Sequence, residues 1–300
     1  MLNLFDNHGI MVRIVAIVLP LFGIIATGWA YGRRHRPDMA VINQLNMEVF
    51  VPALVFAVMA HKSFDLVAHW KLAVAGGLLL LFSGLLAWPV ARLLGVQAKT
   101  FVPPMIFNNS GNLGLPLAVL AFGDAALMAA VVLFLVENLL HFSLGAWWLD
   151  HRTKLRSLWR VPALTASLAG LIVSLSGFTI WAPILQCLRM MGDISVVLLL
   201  FTLGVRLNDV TLRDWQVGVA GAVLRPVSGM FAAWLLAPLF GLEAQETAQL
   251  IVFGALPPAV LNYVFAERYQ QEPTKVASIV LIGNSAALLF IPLALAWVLP

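Results

Sequence analysis

The chain has 300 residues, 61% hydrophobic and 11% charged, with a mean hydropathy of +0.94. A soluble domain carries about 25% charged residues, so the composition excludes a water-soluble globule and indicates a polytopic membrane protein. The formal charge of +4 does not point to nucleic acid, because the Lys and Arg residues sit in short loops between apolar runs and form no basic aromatic face.

The first dozen residues lack a cationic start, and Arg33-Arg34-His35-Arg36 follows the first apolar run. That run therefore reads as a retained span, not a cleaved signal. Crossing about 30 Å of hydrocarbon takes roughly 20 apolar residues in a helix. Ten runs qualify: about 13–31, 39–60, 70–94, 100–122, 124–148, 161–180, 184–206, 214–240, 246–266 and 274–299. The second, fourth and ninth are the most polar. The tight link Thr179–Pro183 between the sixth and seventh leaves nine or eleven spans open. Tryptophans such as Trp29, Trp70, Trp147, Trp148, Trp159 and Trp297 fall near span ends, as interfacial anchors do.

Orientation follows from the cations. Thirteen of the 18 Lys and Arg lie in the odd-numbered loops, against Arg13, Lys62 and Lys71 on the other side. The positive-inside bias puts the odd loops in the cytoplasm and both termini outside, in the inner membrane if the source is bacterial. The basic loop at 149–160 divides the chain into five-span halves, 1–148 and 161–300, the second inverted relative to the first.

Span four contains Pro103-Pro104-Met105-Ile106-Phe107-Asn108-Asn109-Ser110-Gly111-Asn112-Leu113-Gly114-Leu115-Pro116, and span nine contains Pro257-Pro258-Ala259-Val260-Leu261-Asn262-Tyr263. Proline removes a backbone donor and clashes with the carbonyl four residues back. Broken backbone at membrane depth survives only where protein or a water-filled cavity surrounds it. One break per half is the pattern of a carrier's binding site. Pro103, Pro104 and Asn108 recur as Pro257, Pro258 and Asn262 at a constant offset of 154. A crossing at the breaks is expected to bring Asn108 and Asn262 together near the midplane. Their amides, with Asn109, Ser110, Gly111, Asn112, Gly114, Pro258 and Tyr263, form the expected binding set, and half-helix N-termini there favour an anion. The bland alternative is a proline kink whose polar residues only satisfy distorted backbone.

Ionisable residues inside spans are functional candidates by default. Glu48 in span two lies near Asn43, Gln44 and Asn46. Glu137 and His141 in span five are four apart, on one helix face, with Asn138 between them. They are candidates for holding a proton, but two ligands do not complete a metal site, and no metal or cofactor is expected. Arg225 in span eight is a candidate counter-ion for an anionic solute, Glu48 or Glu137. Arg189 and Asp193 read as a structural pair, and Asn284 and Ser285 as pathway or interhelical contacts.

The span-four N-N-S-G-N-L-G-L-P-L, the span-nine A-L-P-P-A-V-L-N-Y-V-F-A-E-R-Y, V-F-V-P-A-L-V-F in span two and L-F-T-L-G-V in span seven resemble the auxin efflux carrier family over essentially the whole chain. The resemblance implies an all-α membrane fold of ten spans. Spans 1, 2, 6 and 7 would form a scaffold, and spans 3–5 and 8–10 a transporter domain, with spans 4 and 9 crossing beside the substrate. Asn108 and Asn262 would be the crossover positions, where plant members typically have proline. The bacterial branch, similar to malonate and malate permeases, implies a small organic acid as cargo. Proton or sodium coupling, lipid contact and a scaffold homodimer stay open. The competing classes are an intramembrane lipid-modifying enzyme using Glu137 and His141, and a passive anion channel. The absence of a serine elbow and of a phosphate loop weighs against catalysis and ATP hydrolysis.

Overall fold

The computed structural model describes residues 6–60, 69–151, 159–209 and 214–299. The described residues are helical throughout, without a strand. The first apolar run is α1 (Asp6–His35), which continues through Pro20. The second is α2 (Ala40–Leu45) and α3 (Val51–Met59), joined by a π turn at Asn46–Phe50; the third is α4 (Trp70–Leu93). The fourth splits into α5 (Ala98–Ile106) and, beyond a π turn at Ser110–Gly114, α6 (Leu115–Phe122). The fifth is α7 (Leu127–Leu140), a π turn at His141–Gly145 and α8 (Ala146–Leu149). Then come α9 (Pro162–Ser176), α10 (Ala182–Arg206) and α11 (Trp215–Phe240). The ninth run splits into α12 (Ala244–Ala255) and α13 (Leu261–Arg268), and α14 (Pro273–Val298) closes the chain.

Helix thus occupies every expected run, and Gly177, left-handed at the end of α9, separates the sixth run from the seventh. Among the described residues, seven helical stretches are long and apolar enough to cross a membrane, and Ser110–Phe122 and Pro162–Ser176 are shorter apolar helices. Large apolar side chains point outward along the helices, with Leu85, Leu93, Leu175 and Leu239 more than two-thirds exposed. In water such a surface would aggregate; in lipid it is the expected exterior. Most of the basic loop, residues 152–158, lies outside the described residues, as do His61 and Lys62.

Two packing groups organise the helices. α1 lies along α10, α10 along α3, and α3 along α9; separately, α11 lies along α14, α12 and α4, while α4 also packs on α5 and α7. Small residues let these backbones approach, as is usual where lipid offers no hydrophobic drive between helices. The approach is close in both groups: a Cβ on Gly204 of α10 would lie 2.0 Å from the Ile25 carbonyl oxygen of α1, and one on Gly229 of α11 would lie 2.1 Å from the Gly254 carbonyl oxygen of α12. The α4–α5 and α11–α12 turns repeat one motif. Gly95 (φ 64°) and Gly241 (φ 60°) are both left-handed. The N–H groups of Gly95 and Val96 donate to Arg92 and Ala91, as those of Gly241 and Leu242 donate to Pro238 and Ala237. Glycine takes that conformation without the Cβ penalty.

Candidate functional site

The breaks in the fourth and ninth runs have different local causes. Leu256 precedes a proline, which disfavours helical geometry, and it is extended (φ −61°, ψ 140°). Pro257 and Pro258 then occupy the break itself. In the fourth run Pro103 and Pro104 remain inside α5, and the chain leaves the helix only at Phe107 (φ −92°, ψ 110°). The two interruptions meet. Asn108 pairs with Pro258 in an isolated antiparallel bridge. The Asn109 N–H donates to the Pro257 carbonyl at 2.7 Å, and the Ala259 N–H to the Phe107 carbonyl at 2.9 Å. Each break therefore satisfies the other's freed backbone, which removes the cost of several kcal/mol per orphan group in hydrocarbon.

Four buried asparagines complete this crossing. Asn108 Nδ2 donates to the Phe253 carbonyl at 2.7 Å. Asn262 Nδ2 donates to the carbonyls of Phe107 at 2.9 Å and Ala259 at 3.0 Å. Asn109 Nδ2 donates to Asn284 Oδ1 at 2.8 Å, and Asn284 Nδ2 to the Pro258 carbonyl at 2.9 Å and that of Val280 at 2.8 Å. The Oδ1 atoms of Asn108 and Asn262 are buried without a partner.

The crossing register corrects the expected offset of 154. Asn108 faces Pro258, an offset of 258 − 108 = 150, and at that offset the counterpart of Asn262 is Asn112. At the preceding glycine turns the offset is 241 − 95 = 146. The physical reason is that α12 has 12 residues where α5 has 9, so the matching prolines sit about one turn apart relative to the crossing. Asn108 and Asn262 do share the crossing, but through the backbone of Phe107 and not as facing partners. The N–H groups at the start of α13 are also less available than expected: those of Asn262 and Tyr263 donate to Ala259 and Val260. Gly111 and Asn112 are half-buried. A Cβ on Gly114 would come 2.9 Å from the Leu256 side chain, and Pro116 sits in the first turn of α6, where its missing N–H costs nothing.

Behind the crossing lies a charged cluster. Glu137, 3% exposed, accepts from Asn138 Nδ2 at 3.2 Å and more weakly from Ser110 Oγ at 3.3 Å. His141 Nδ1 lies 3.0 Å from Glu137 Oε1, and its ring stacks on Phe107 with centroids 4.0 Å apart. Arg225 is fully buried, donates from Nη1 to the Gly254 carbonyl at 3.2 Å, and has no partner at Nε or Nη2. Its Nη1 and Asn108 Nδ2 thus serve adjacent carbonyls at the C-terminal end of α12, where the helix dipole is negative. Glu137 is the carboxylate whose field reaches Arg225. Glu48 is not brought here: it is exposed on the π turn after α2 and accepts from Gln44 Nε2 at 3.0 Å. Arg189 and Asp193, read as a structural pair, are both exposed, and among the described residues no ion pair joins them. Ser285 is exposed and donates to the Leu281 carbonyl.

A cavity of about 930 Å³ opens between the two packing groups. It runs from Arg33, Arg36 and Arg206, with Asp38 and Asn43, to Val260, Tyr263 and Asn284 beside the crossing. On the opposite side, next to the crossing, is a crevice of about 20 Å³ between Ser110, Gly114, Gln249 and Leu256; farther out, an open pocket of about 570 Å³ lies at Arg13, Phe122 and Gln245. Sequence reasoning took these arginines for topology anchors alone, since nothing in a loop's charge reveals that it rims a cavity. The signal for Asn284 was present, a polar residue in a long apolar run.

A family sequence model described as membrane transport protein matches residues 13–154 and 149–295. An uncharacterized transporter of Methanocaldococcus jannaschii is 24% identical over 300 residues, covering 94% of this chain and 96% of its own length. A protein of Rhizobium meliloti named "Putative malonate transporter" is 24% identical over 296 residues, covering 91% of this chain and 92% of its own.

Proposed function

The chain belongs to the membrane transport protein family, and from that premise we propose that it is a secondary carrier of a small organic-acid anion, working by alternating access around the crossing of α5–α6 with α12–α13. The observation that carries this reading is the cavity of about 930 Å³, rimmed by Arg33, Arg36 and Arg206 and ending at Asn284 and Tyr263. A basic funnel with low-dielectric walls concentrates anions. The near-closure beyond Ser110, to about 20 Å³, fits a carrier open to one side and disfavours a continuous channel. By the positive-inside bias the open side is the cytoplasm, with both termini outside.

In this reading α1, α2–α3, α9 and α10 form the scaffold, and the remaining helices form the moving unit, built as two inverted repeats. The two packing groups and the repeated glycine turns at Gly95 and Gly241 support it. Malonate is the first substrate to test, because a relative bears that name. In vesicles preloaded with unlabelled malonate, labelled malonate should accumulate transiently against its gradient. A channel would only equilibrate, and an enzyme would yield product. Absence of counterflow with malonate and the other C2–C6 carboxylates would overturn the proposal.

A further inference from the structure

His141 is 1% exposed. With Glu137 ionised, the 3.0 Å contact requires Nδ1 to carry the hydrogen and donate it to Oε1. Nε2 then holds a bare lone pair, and it is buried with no donor near it. The ring lies flat on Phe107, 4.0 Å between centroids and 6° between planes, and Phe265 of α13 packs on it at 4.8 Å. Phe107 gives its carbonyl to Ala259 and Asn262, while Ser110, just past the crossing, donates to Glu137. The Glu137–His141 pair therefore grips the broken backbone on both sides of Asn108 and Asn109.

The charged groups acting on this pair are few. On α7 there is Glu137 itself, and from α11 there is Arg225, whose field reaches Glu137. The span-four break and α13 present Phe107, Ser110 and Phe265, none of which titrates near neutrality. With Arg225 and Glu137 charged and the His141 ring neutral, the three sum to zero charge.

We propose that Nε2 of His141 is the atom that binds a coupling proton, and that the one carboxylate group of the substrate that enters the crossing is accompanied by one proton there. The proton, from water on the open side, bonds to the Nε2 lone pair, and no bond within the protein breaks. The cluster then carries one net positive charge, and an arriving carboxylate restores neutrality. Net charge in a low-dielectric interior is costly, so the empty state and the doubly loaded state are favoured over either half-loaded one. That difference is a coupling free energy between proton and anion. The inference rests on the carrier reading above.

The test uses the full chain in lipid nanodiscs. Malonate binding is titrated calorimetrically in two buffers of different ionisation enthalpy, which reads the protons taken up per malonate. About one proton is expected in the wild type, with affinity strengthening up to about tenfold per unit fall in pH where His141 is unloaded. His141→Gln should bind malonate with neither proton uptake nor this pH dependence. Glu137→Gln, which keeps the ring and removes its charged partner, should also lose uptake, and it decides the matter if the first variant does not fold. Equal uptake in wild type and variants, or none in the wild type, overturns the proposal. If malonate does not bind, the substrate reading falls and the proton site is tested alone. Infrared difference spectra of ring-labelled histidine protein between about pH 5 and 8, where imidazole titrates, should show a band that His141→Gln lacks. Its absence in the wild type overturns the site.

Discussion

Three of the four asparagines at the crossing give amide hydrogens to backbone carbonyls of the broken helices, and Asn109 gives its own to Asn284. Asn108 holds Phe253, Asn262 holds Phe107 and Ala259, and Asn284 holds Pro258. These side chains are therefore part of the scaffold of the site as well as its lining. Removing one loses its hydrogen bonds, about 0.5–1.5 kcal/mol each; for Asn262 the Phe107 and Ala259 carbonyls keep their backbone donors. Asn262→Ala should accordingly lower thermal stability by that order and weaken malonate binding together, as read by thermal unfolding with and without malonate. Unchanged stability would show that water replaces the amide. The bland reading of these residues, a kink satisfying its own backbone, and the functional one are thus not exclusive: the same amides do the satisfying, and the Oδ1 atoms of Asn108 and Asn262 are left over.

At the level of elements, three π turns mark where helices are locally unwound without a full break, at Asn46–Phe50, Ser110–Gly114 and His141–Gly145. Such bulges concentrate at functional positions, and two of these adjoin the crossing. None is legible from periodicity, because an extra residue rotates the following helix by about 100°, and spans that are apolar on nearly every face carry no pattern in which such a rotation would show. α14 has a different device at its start. Glu272, left-handed (φ 42°), accepts from Thr100 Oγ1 of α5 at 2.7 Å and pairs with Lys275. Partial burial raises the Glu272 pKa, but the hydrogen bonds from Lys275 and Thr100 and the Lys275 charge outweigh it, so the net position is below the ordinary carboxylate value. A folded-state pKa below the unfolded one stabilises the fold above the unfolded value, and that stability is lost as pH falls through the folded value. Because the pair is partly solvated, the contribution is under about 1 kcal/mol. Glu272→Gln should therefore flatten the acid limb of the stability–pH curve slightly while leaving stability above neutrality reduced; an unaltered curve would show the contact to be inconsequential.

For the whole molecule, the cavity and the crevice predict a sidedness. With Cys187 replaced by serine, a cysteine at Ala277, which lines the large cavity, should react with a membrane-impermeant maleimide added from the side of Arg33 and Arg36. A cysteine at Ser110, buried beside the small crevice, should react from neither side until substrate drives the carrier over. Equal labelling at both would mean that the structure is not closed at the crossing. The same geometry explains why the basic loop residues have two roles. The positive-inside reading makes them topology determinants, and three of them, Arg33, Arg36 and Arg206, come together to line the large cavity.

Composition and apolar run length were enough to establish an all-helical membrane protein, because hydrocarbon imposes its length and satisfaction rules on every span independently of its neighbours. The doubled proline–asparagine pattern likewise marked the fourth and ninth runs as interrupted, although only in the ninth do the prolines occupy the break; in the fourth they stay inside α5. What followed from folding alone was the register. The repeat read as 154 residues becomes 150 at the crossing, because α12 is longer than α5 and only packing reveals where each chain leaves its helix. Tertiary structure also decided which groups meet across helices: the Glu137–His141 pair, already neighbours at i,i+4 in the sequence, gains Ser110 and the field of Arg225, while Glu48 stays outside. Electrostatic partnership depends on distances between helices far apart in sequence, and no one-dimensional pattern carries them.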